Sequence, residues 1–276
     1  MNTLSINLVF AKVNFFLYKI FLFIKLGSKQ AKAYLHDHAL TMLDFLPEVA
    51  YSTGEFRAVP RKHTDDFYLL FLPREEELKT HLKLNENETF VDVGANVGAY
   101  SLRLGSIYEK TGAKVIAIEA HPGNYLALQR NIQANQLQNI EAINIAVSDH
   151  SGTVELHEHV IMNKERDDKN RVQTGHFSLS KEFMGNYSVK VNCDTLDNIL
   201  KDRRVDLLKI DVEGAEVIAL RGAHKTLGRA RRIIVEIHQD NLETVREILG
   251  NHAFHLSEVE GVDGMKYLIG FRGGSD

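Results

Sequence analysis

The stretch FVDVGANVGAYS, residues Phe90–Ser101, runs from an apolar segment through Asp92, Gly94, Asn96 and Gly98 into what reads as a helix start near Ala99. Glycines at a strand-to-helix turn let the backbone come close to a ligand, and the helix that follows offers free N–H groups. The spacing is G-x-x-x-G, short of the G-x-G-x-x-G of dinucleotide binders, with Asn96 where the middle glycine would stand. A side chain at that point denies a diphosphate its close approach.

A ligand with a nucleoside end and an amino-acid end, and no pyrophosphate, suits such a turn better. S-adenosylmethionine has that form. The next short apolar run, VIAIEAHP, ends in Glu119, placed to accept both hydroxyls of a ribose. A third, NIAVSDHSG, ends in Ser148 and Asp149, within reach of an adenine edge.

From Thr89 onward, short apolar runs alternate with segments of helical period. The expected strands are 90–93, 115–118, 140–145, 207–210 and 233–237, with a helix over Tyr125–Asn135. That alternation predicts a mostly parallel sheet covered by helices on both faces. Residues 254–258 and 266–271 read as a closing antiparallel hairpin. A further strand is expected at 153–157, and the polar insertion Glu158–Tyr187, with Asn163, Arg166, Arg171, His176 and Ser178, as an acceptor-side lid.

Two strand ends collect polar groups: LLKIDVEGAE supplies Lys209, Asp211, Glu213 and Glu216, and IIVEIH supplies Glu236 and His238. In an open parallel sheet the ligand crevice lies beyond the carboxyl ends of the strands. Alternation turns Lys209 and Asp211 to one side, and Glu236 and His238 likewise. His238 is the first candidate for a general base because its ordinary pKa is near neutrality, with Asp211 or Glu213 second. Asp211, Glu213, Glu236 and His238 could also hold a divalent cation, but nothing in the sequence fixes their distances, and the favoured reading uses no metal.

The segments DVGANVGAYS, IEAHPGNY, AVSDHSGTVEL, VDLLKIDVEGAEVIALRGA and IIVEIH, in this order and spacing, resemble the FkbM-type family of S-adenosylmethionine-dependent methyltransferases over about residues 85–245. The resemblance implies a Rossmann-like class I methyltransferase fold with a seven-stranded sheet, and O-methylation of a hydroxyl on a sugar, glycan or natural product. It implies that Asp92, Gly94, Ala95, Asn96, Gly98, Tyr100 and Ser101 surround the methionine end of S-adenosyl-L-methionine. Glu119 would hold the ribose, and Ser148 and Asp149 the adenine side. Ala120 stands where proline is more usual.

Outside that region, residues 30–88 are expected as a helical extension, including a charged helix around Arg74–Leu84, and 89–276 as the methyltransferase domain. Residues 4–24 are apolar and aromatic, and about 20 residues suffice to span a bilayer. Lys12 and Lys19 within them leave three readings of residues 1–29 open: membrane association at the cytoplasmic face, a helix packed on the protein or a second subunit, or a cleaved signal, which the lack of a small-x-small site disfavours. One cysteine, Cys193, permits no intrachain disulfide and fits a reducing compartment such as the cytoplasm. It reads as a small buried hydrophobe. A net charge of −4 gives no electrostatic footprint for nucleic acid, and the basic run Arg229–Arg232 reads as a solvated helix end. The competing readings are an RNA methyltransferase, suggested by Leu128, Asn131 and Asn135 in L-x-x-N-x-x-x-N, and a non-catalytic nucleoside-binding module.

Overall fold

The computed structural model describes residues 48–62, 64–71, 76–159, 177–178, 184–238, 241–261 and 264–273. The apolar segment 4–24 and the lid residues Asn163, Arg166, Arg171 and His176 lie outside them. Among the described residues no helix is long and apolar enough to cross a membrane.

The described residues open with a small antiparallel hairpin, β1 (Tyr51–Ser52) and β2 (Arg57–Ala58), then helix α1 (Asp66–Phe71). Where a charged helix is expected, only the 3-10 turn Glu76–Leu78 forms among the described residues. The chain extends beyond it because Leu82 and Leu84, two apart, both enter the cluster that already holds Leu78, and a helix would separate them.

The main sheet contains β3 (Thr89–Val93), β4 (Lys114–Glu119), β5 (Ile140–Asn144), β10 (Leu207–Ile210), β11 (Arg232–Ile237), β12 (His255–Glu260) and β13 (Lys266–Phe271). Their order is β12-β13-β11-β10-β3-β4-β5. The five strands β3, β4, β5, β10 and β11 run parallel, and β13 lies antiparallel between β11 and β12. The chain starts in the middle at β3, moves outward through β4 and β5, then returns to β10 on the other side. The switch in strand order therefore falls between β3 and β10, where ligands of open α/β sheets bind.

The expected strand 140–145 forms as β5, Ile140–Asn144, one residue short. The chain leaves the main sheet at Ile145, and β6 (Ala146–Ser148) joins a second sheet with β7 (Gly152–His159), β8 (Phe177–Ser178) and β9 (Met184–Thr195), in the order β6-β9-β7-β8. The expected strand 153–157 belongs here, and Ser178 sits on β8. Cys193 on β9 is buried beside Ala146, Leu156 and Val191, as a small hydrophobe would be.

Helices α2 (Ala99–Ile107), α3 (Pro122–Asn135), α4 (Leu196–Leu200), α5 (Glu216–Arg221), α6 (His224–Arg229) and α7 (Leu242–Asn251) complete the fold. Pro122 at the first turn and the His121 cap fix the start of α3. Alternation divides the sheet residues between two cores. Val91, Val93, Leu208, Ile210, Ile233 and Val235 face one, and Phe90, Leu207 and Ile234 face the other. The basic run is spread over two elements: Arg229 ends α6, while Arg232 starts β11 and pairs with buried Glu88 at 2.5 Å.

Gly94 tests the local geometry. It has φ +81°, and a Cβ there would lie 1.8 Å from the Asp211 carbonyl oxygen. Gly54 also has positive φ, at +97°, but a Cβ there meets nothing within 4 Å. Gly94→Ala should therefore destabilise the fold by about 3 kcal/mol or more, and Gly54→Ala by only about 1–2 kcal/mol. Urea unfolding of the two variants, compared by midpoint and slope, checks the difference; equal losses would mean that β3 and β10 do not approach this closely.

Candidate active site

The first wall of the crevice is the turn from β3 into α2. Gly94 and Ala95 both donate to the Ile118 carbonyl, which ties the turn to β4. Gly94, Asn96 and Gly98 all have positive φ, at 81°, 50° and 99°. Asparagine is among the few residues with a side chain that adopt this conformation readily, so Asn96 preserves the backbone of the turn. Gly98 packs so tightly on Leu128 that a Cβ would come within 2.7 Å of it. Both glycines thus answer to the protein's own packing.

Asp92 is buried, and its Oδ2 accepts a 2.6 Å bond from the Ser101 hydroxyl. Burial raises its pKa, against the opposing pull of Lys209 and Ser101. The Tyr100 ring lies 4.7 Å from the Lys209 ammonium, a cation–π contact. Glu119, at the end of β4, accepts N–H bonds from Asn96 at Oε2 and His121 at Oε1, each 2.8 Å. Burial pushes its pKa up to about 7, although these bonds and one from the Asn124 side chain pull downward. Ser148 ends β6 in a buried position, and Asp149, beyond it, takes a 2.8 Å contact from His150 Nδ1 that holds its carboxyl below the usual range.

The second wall comes from β10 and β11. Register sets Lys209 opposite Asp92 on one side and Ile234 on the other. Strand alternation then places Asp92, Lys209, Asp211, Glu236 and His238 on the same face of the sheet. Lys209, almost fully buried, donates to Asp211 Oδ2 at 2.9 Å. Glu236 lies beside Asp211 on this face and also helps to lower its pKa. Burial alone would raise Asp211, but Lys209, His238 and Glu236 together lower it to about 2.

His238 sits among carboxylates. Its Nδ1 contacts Glu216 Oε1 at 2.9 Å, and its Nε2 faces Glu213 at 3.4 Å and Glu236 at 3.6 Å. Burial lowers its pKa, yet the Glu216 bond and the charges of Glu213, Asp211 and Glu216 outweigh that and raise it to about 10. The neutral-pH titration that made His238 the first candidate base is therefore not what its surroundings impose: it is held as an imidazolium. Glu216 also accepts from Gly214 N–H at 2.8 Å and Asn241 Nδ2 at 3.0 Å, so it is more than a helix-start acid. Glu213, with φ +50°, stands at the rim of the group.

Ligand atoms of Asp211, Glu213 and His238 lie within 4.8 Å of one another, a spacing a divalent cation could bridge. The Lys209 ammonium on Asp211 and the proton on His238 both oppose one there. Asn241 and Arg61 lie outside the strand-end motifs, and Asn124, within IEAHPGNY, had no role assigned from the sequence. Leu128, Asn131 and Asn135, the pattern that suggested an RNA methyltransferase, lie on α3. In the fold Asn131 Oδ1 accepts from Val59 N–H at 2.8 Å and its amide donates to Val97 O at 2.9 Å, while Asn135 takes the Arg57 N–H at 2.7 Å. The pattern staples residues 57–59 to α3.

The strand order, the glycine turn at the switch point and an acid at the end of the second strand define a class I methyltransferase fold. The methyltransferase FkbM domain matches residues 92–258, well over half of the chain. The chain belongs to the FkbM methyltransferase family. It is 30% identical over 176 residues to the methyltransferase sdnD of Sordaria araneosa, covering 55% of this chain and 67% of that one. It is 23% identical over 148 residues to methyltransferase 1 of Beauveria bassiana (strain ARSEF 2860), covering 50% and 59%. The methyltransferase FkbM structure from Methylobacillus flagellatus KT superposes with a TM-score of 0.47 at 17% identity, covering 69% of this chain and 45% of that one.

The crevice suits S-adenosylmethionine on its own geometry. Among the described residues Asp92 Oδ1 and Asn96 Oδ1 are buried without a hydrogen-bond partner. Buried acceptors of this kind call for a donor, and an ammonium supplies up to three. Glu119 keeps acceptor capacity beyond its two backbone bonds and the Asn124 amide, open to a ribose hydroxyl.

The proton on His238 has a measurable consequence. Its folded pKa of about 10 exceeds the ordinary 6.5, so its contribution to stability is complete below about pH 6.5 and is lost as pH rises through about 10. Wild-type stability should fall across that window, and the fall should be much smaller in His238→Gln. Denaturant unfolding at several pH values compares the two slopes; parallel curves would show that His238 is not held protonated.

Proposed function

We propose that the protein transfers a methyl group from S-adenosylmethionine to a hydroxyl on a sugar, glycan or other natural product. The observation that carries the reading is the meeting of two walls: the β3–α2 turn, with its unsatisfied acceptors, and the carboxylate–histidine group at the ends of β10 and β11. Asp92, Gly94, Ala95, Asn96, Gly98, Tyr100 and Ser101 would flank the methionine end, Glu119 the ribose, and Ser148 and Asp149 the adenine side. The cofactor supplies an already activated methyl on a sulfonium.

What remains for the chain is alignment, exclusion of water and removal of one proton. Glu213, at the rim, receives the hydroxyl's proton. His238 holds Glu213 in place through charge and is itself oriented by Glu216. Asp211, kept ionised by Lys209, orients the hydroxyl by accepting from it. The carboxyls of Asp211, Glu213, Glu216 and Glu236 outnumber Lys209 and His238, so the group carries excess negative charge. That excess favours a cationic donor and the proton released during transfer. The insertion Glu158–Tyr187 would serve as the acceptor-side lid, and residues 4–24 would associate with a membrane or pack on the protein or a second subunit.

The purified protein, incubated with methyl-labelled S-adenosylmethionine and separated glycan, small-molecule, lipid and RNA fractions, should place label on the glycan or small-molecule fraction as an ether stable to mild base. Label confined to RNA would overturn the acceptor class, and tight cofactor binding with no label anywhere would favour a binding module. With an acceptor in hand, Glu213→Gln should lower kcat about 10²–10⁴-fold. His238→Ala and Asp211→Asn should lose turnover while still binding cofactor, and wild-type rates in all three variants would remove the group from the mechanism.

A further inference from the structure

Arg61 stands outside the region matched to the family, on the segment that precedes α1, yet its guanidinium reaches the cofactor wall. Its backbone N–H and its Nε both donate to Asp66 Oδ2, at 2.9 and 2.7 Å, and Nη2 donates to Asp66 Oδ1 at 2.8 Å. Asp66 is completely buried, so this fork is its counter-charge. The same Nη2 donates to Asn124 Oδ1 at 2.9 Å.

Asn124 is 2% exposed, at the start of α3, and its side chain hydrogen-bonds to Glu119. A guanidinium only donates, so the carboxamide oxygen must face Arg61; the amide NH₂ is then the end that Glu119 receives. Asp66, Arg61, Asn124 and Glu119 form one directed chain of donors and acceptors. His121, between Arg61 and Glu119, supports the same geometry: burial first, and then the Arg61 charge, lower its pKa to about 4, which keeps Nδ1 free to accept the Asn124 N–H at 3.3 Å.

We infer that Arg61 is a positioning residue of the cofactor site, fixing the Glu119 carboxylate through Asn124 in the orientation that a ribose diol needs, and that residues 57–66 thereby belong to the nucleoside-binding wall. The inference rests on the reading of Glu119 as the ribose acceptor. Glu119 can rotate about its side-chain bonds; two backbone N–H groups and one amide, the last clamped by Arg61, restrict that rotation. Preorganising a buried acceptor raises affinity by removing an ordering cost from binding.

The test is calorimetric titration of the full chain with S-adenosylhomocysteine and with its 2′-deoxyribose analogue. Glu119→Gln should weaken S-adenosylhomocysteine about tenfold and reduce discrimination against the deoxy analogue; if it does neither, the ribose reading falls and this inference with it. Asn124→Ala and Arg61→Ala should each weaken S-adenosylhomocysteine about fivefold to tenfold. The double variant should lose no more than about twofold beyond either single one, because both break the same link.

Arg61→Lys separates positioning from folding. An ammonium can still neutralise Asp66 and keep the segment folded, but it lacks the planar fork that also reaches Asn124. It should keep a Tm near wild type while showing the affinity loss and the reduced discrimination of Asn124→Ala. Wild-type affinity in Arg61→Lys or in Asn124→Ala, with Glu119→Gln behaving as expected, would overturn the inference and leave Arg61 as a purely structural partner of Asp66.

Discussion

The site depends on how closely the ends of β3 and β10 approach each other. Asp211 N–H donates to the Val93 carbonyl at 3.0 Å, and the Asp211 carbonyl oxygen occupies the space where a side chain on residue 94 would begin. Only glycine fits there, and at positive φ it fits without strain. Closing that gap makes two strand ends into one wall. The turn that would hold a methionine moiety and the polar group that would manage a proton then become neighbours, although more than a hundred residues separate them in the chain. The crevice at the switch point is a consequence of this contact more than of any single polar residue.

The same closure creates an electrostatic problem that the local chemistry resolves. Lys209 is almost fully buried between Asp92 and Asp211, where an unpaired ammonium would be strongly unfavourable. Its charge keeps Asp211 ionised, while Asp92, deeper and less well compensated, is pushed the other way. Further along the face, His238 is surrounded by carboxylates and takes a proton because the field there is negative. A base assignment from the ordinary pKa of histidine does not survive the fold. The negative excess that remains is what a sulfonium donor would meet.

Much of this was legible in the sequence because alternation within a strand is a strong constraint. The five parallel strands, the glycine turn and the shared face of Lys209, Asp211, Glu236 and His238 all follow from a period of two and a change to helical spacing. What could not be read depended on partners far apart in sequence. The break at Ile145 exists because β6 finds β9, whose pairing no local pattern announces. A charged run beginning near Arg74 looks helical, but Leu82 and Leu84 are both drawn into the core by residues of the distant sheet. Glu216 starts α5, and its contact with His238 appears only when β11 lies beside β10.

The segment before β3 shows how a motif can have a role that its resemblance does not suggest. Asn131 and Asn135, spaced four apart, lie on one face of α3 and bond the backbone of residues 57 and 59 in the manner of an added strand edge. Phe56, Ala58 and Leu70 then pack on Val97, Leu102, Ala127 and Leu137. Val97 belongs to the glycine turn itself, and its carbonyl accepts the Asn131 amide. Loosening residues 56–59 from α3 would therefore uncover Val97 and release one of the two bonds that orient the Asn131 amide toward the turn. Attachment of this segment and order in the cofactor turn are thus two readings of the same set of contacts, which is why a region outside the family's matched span can influence chemistry inside it.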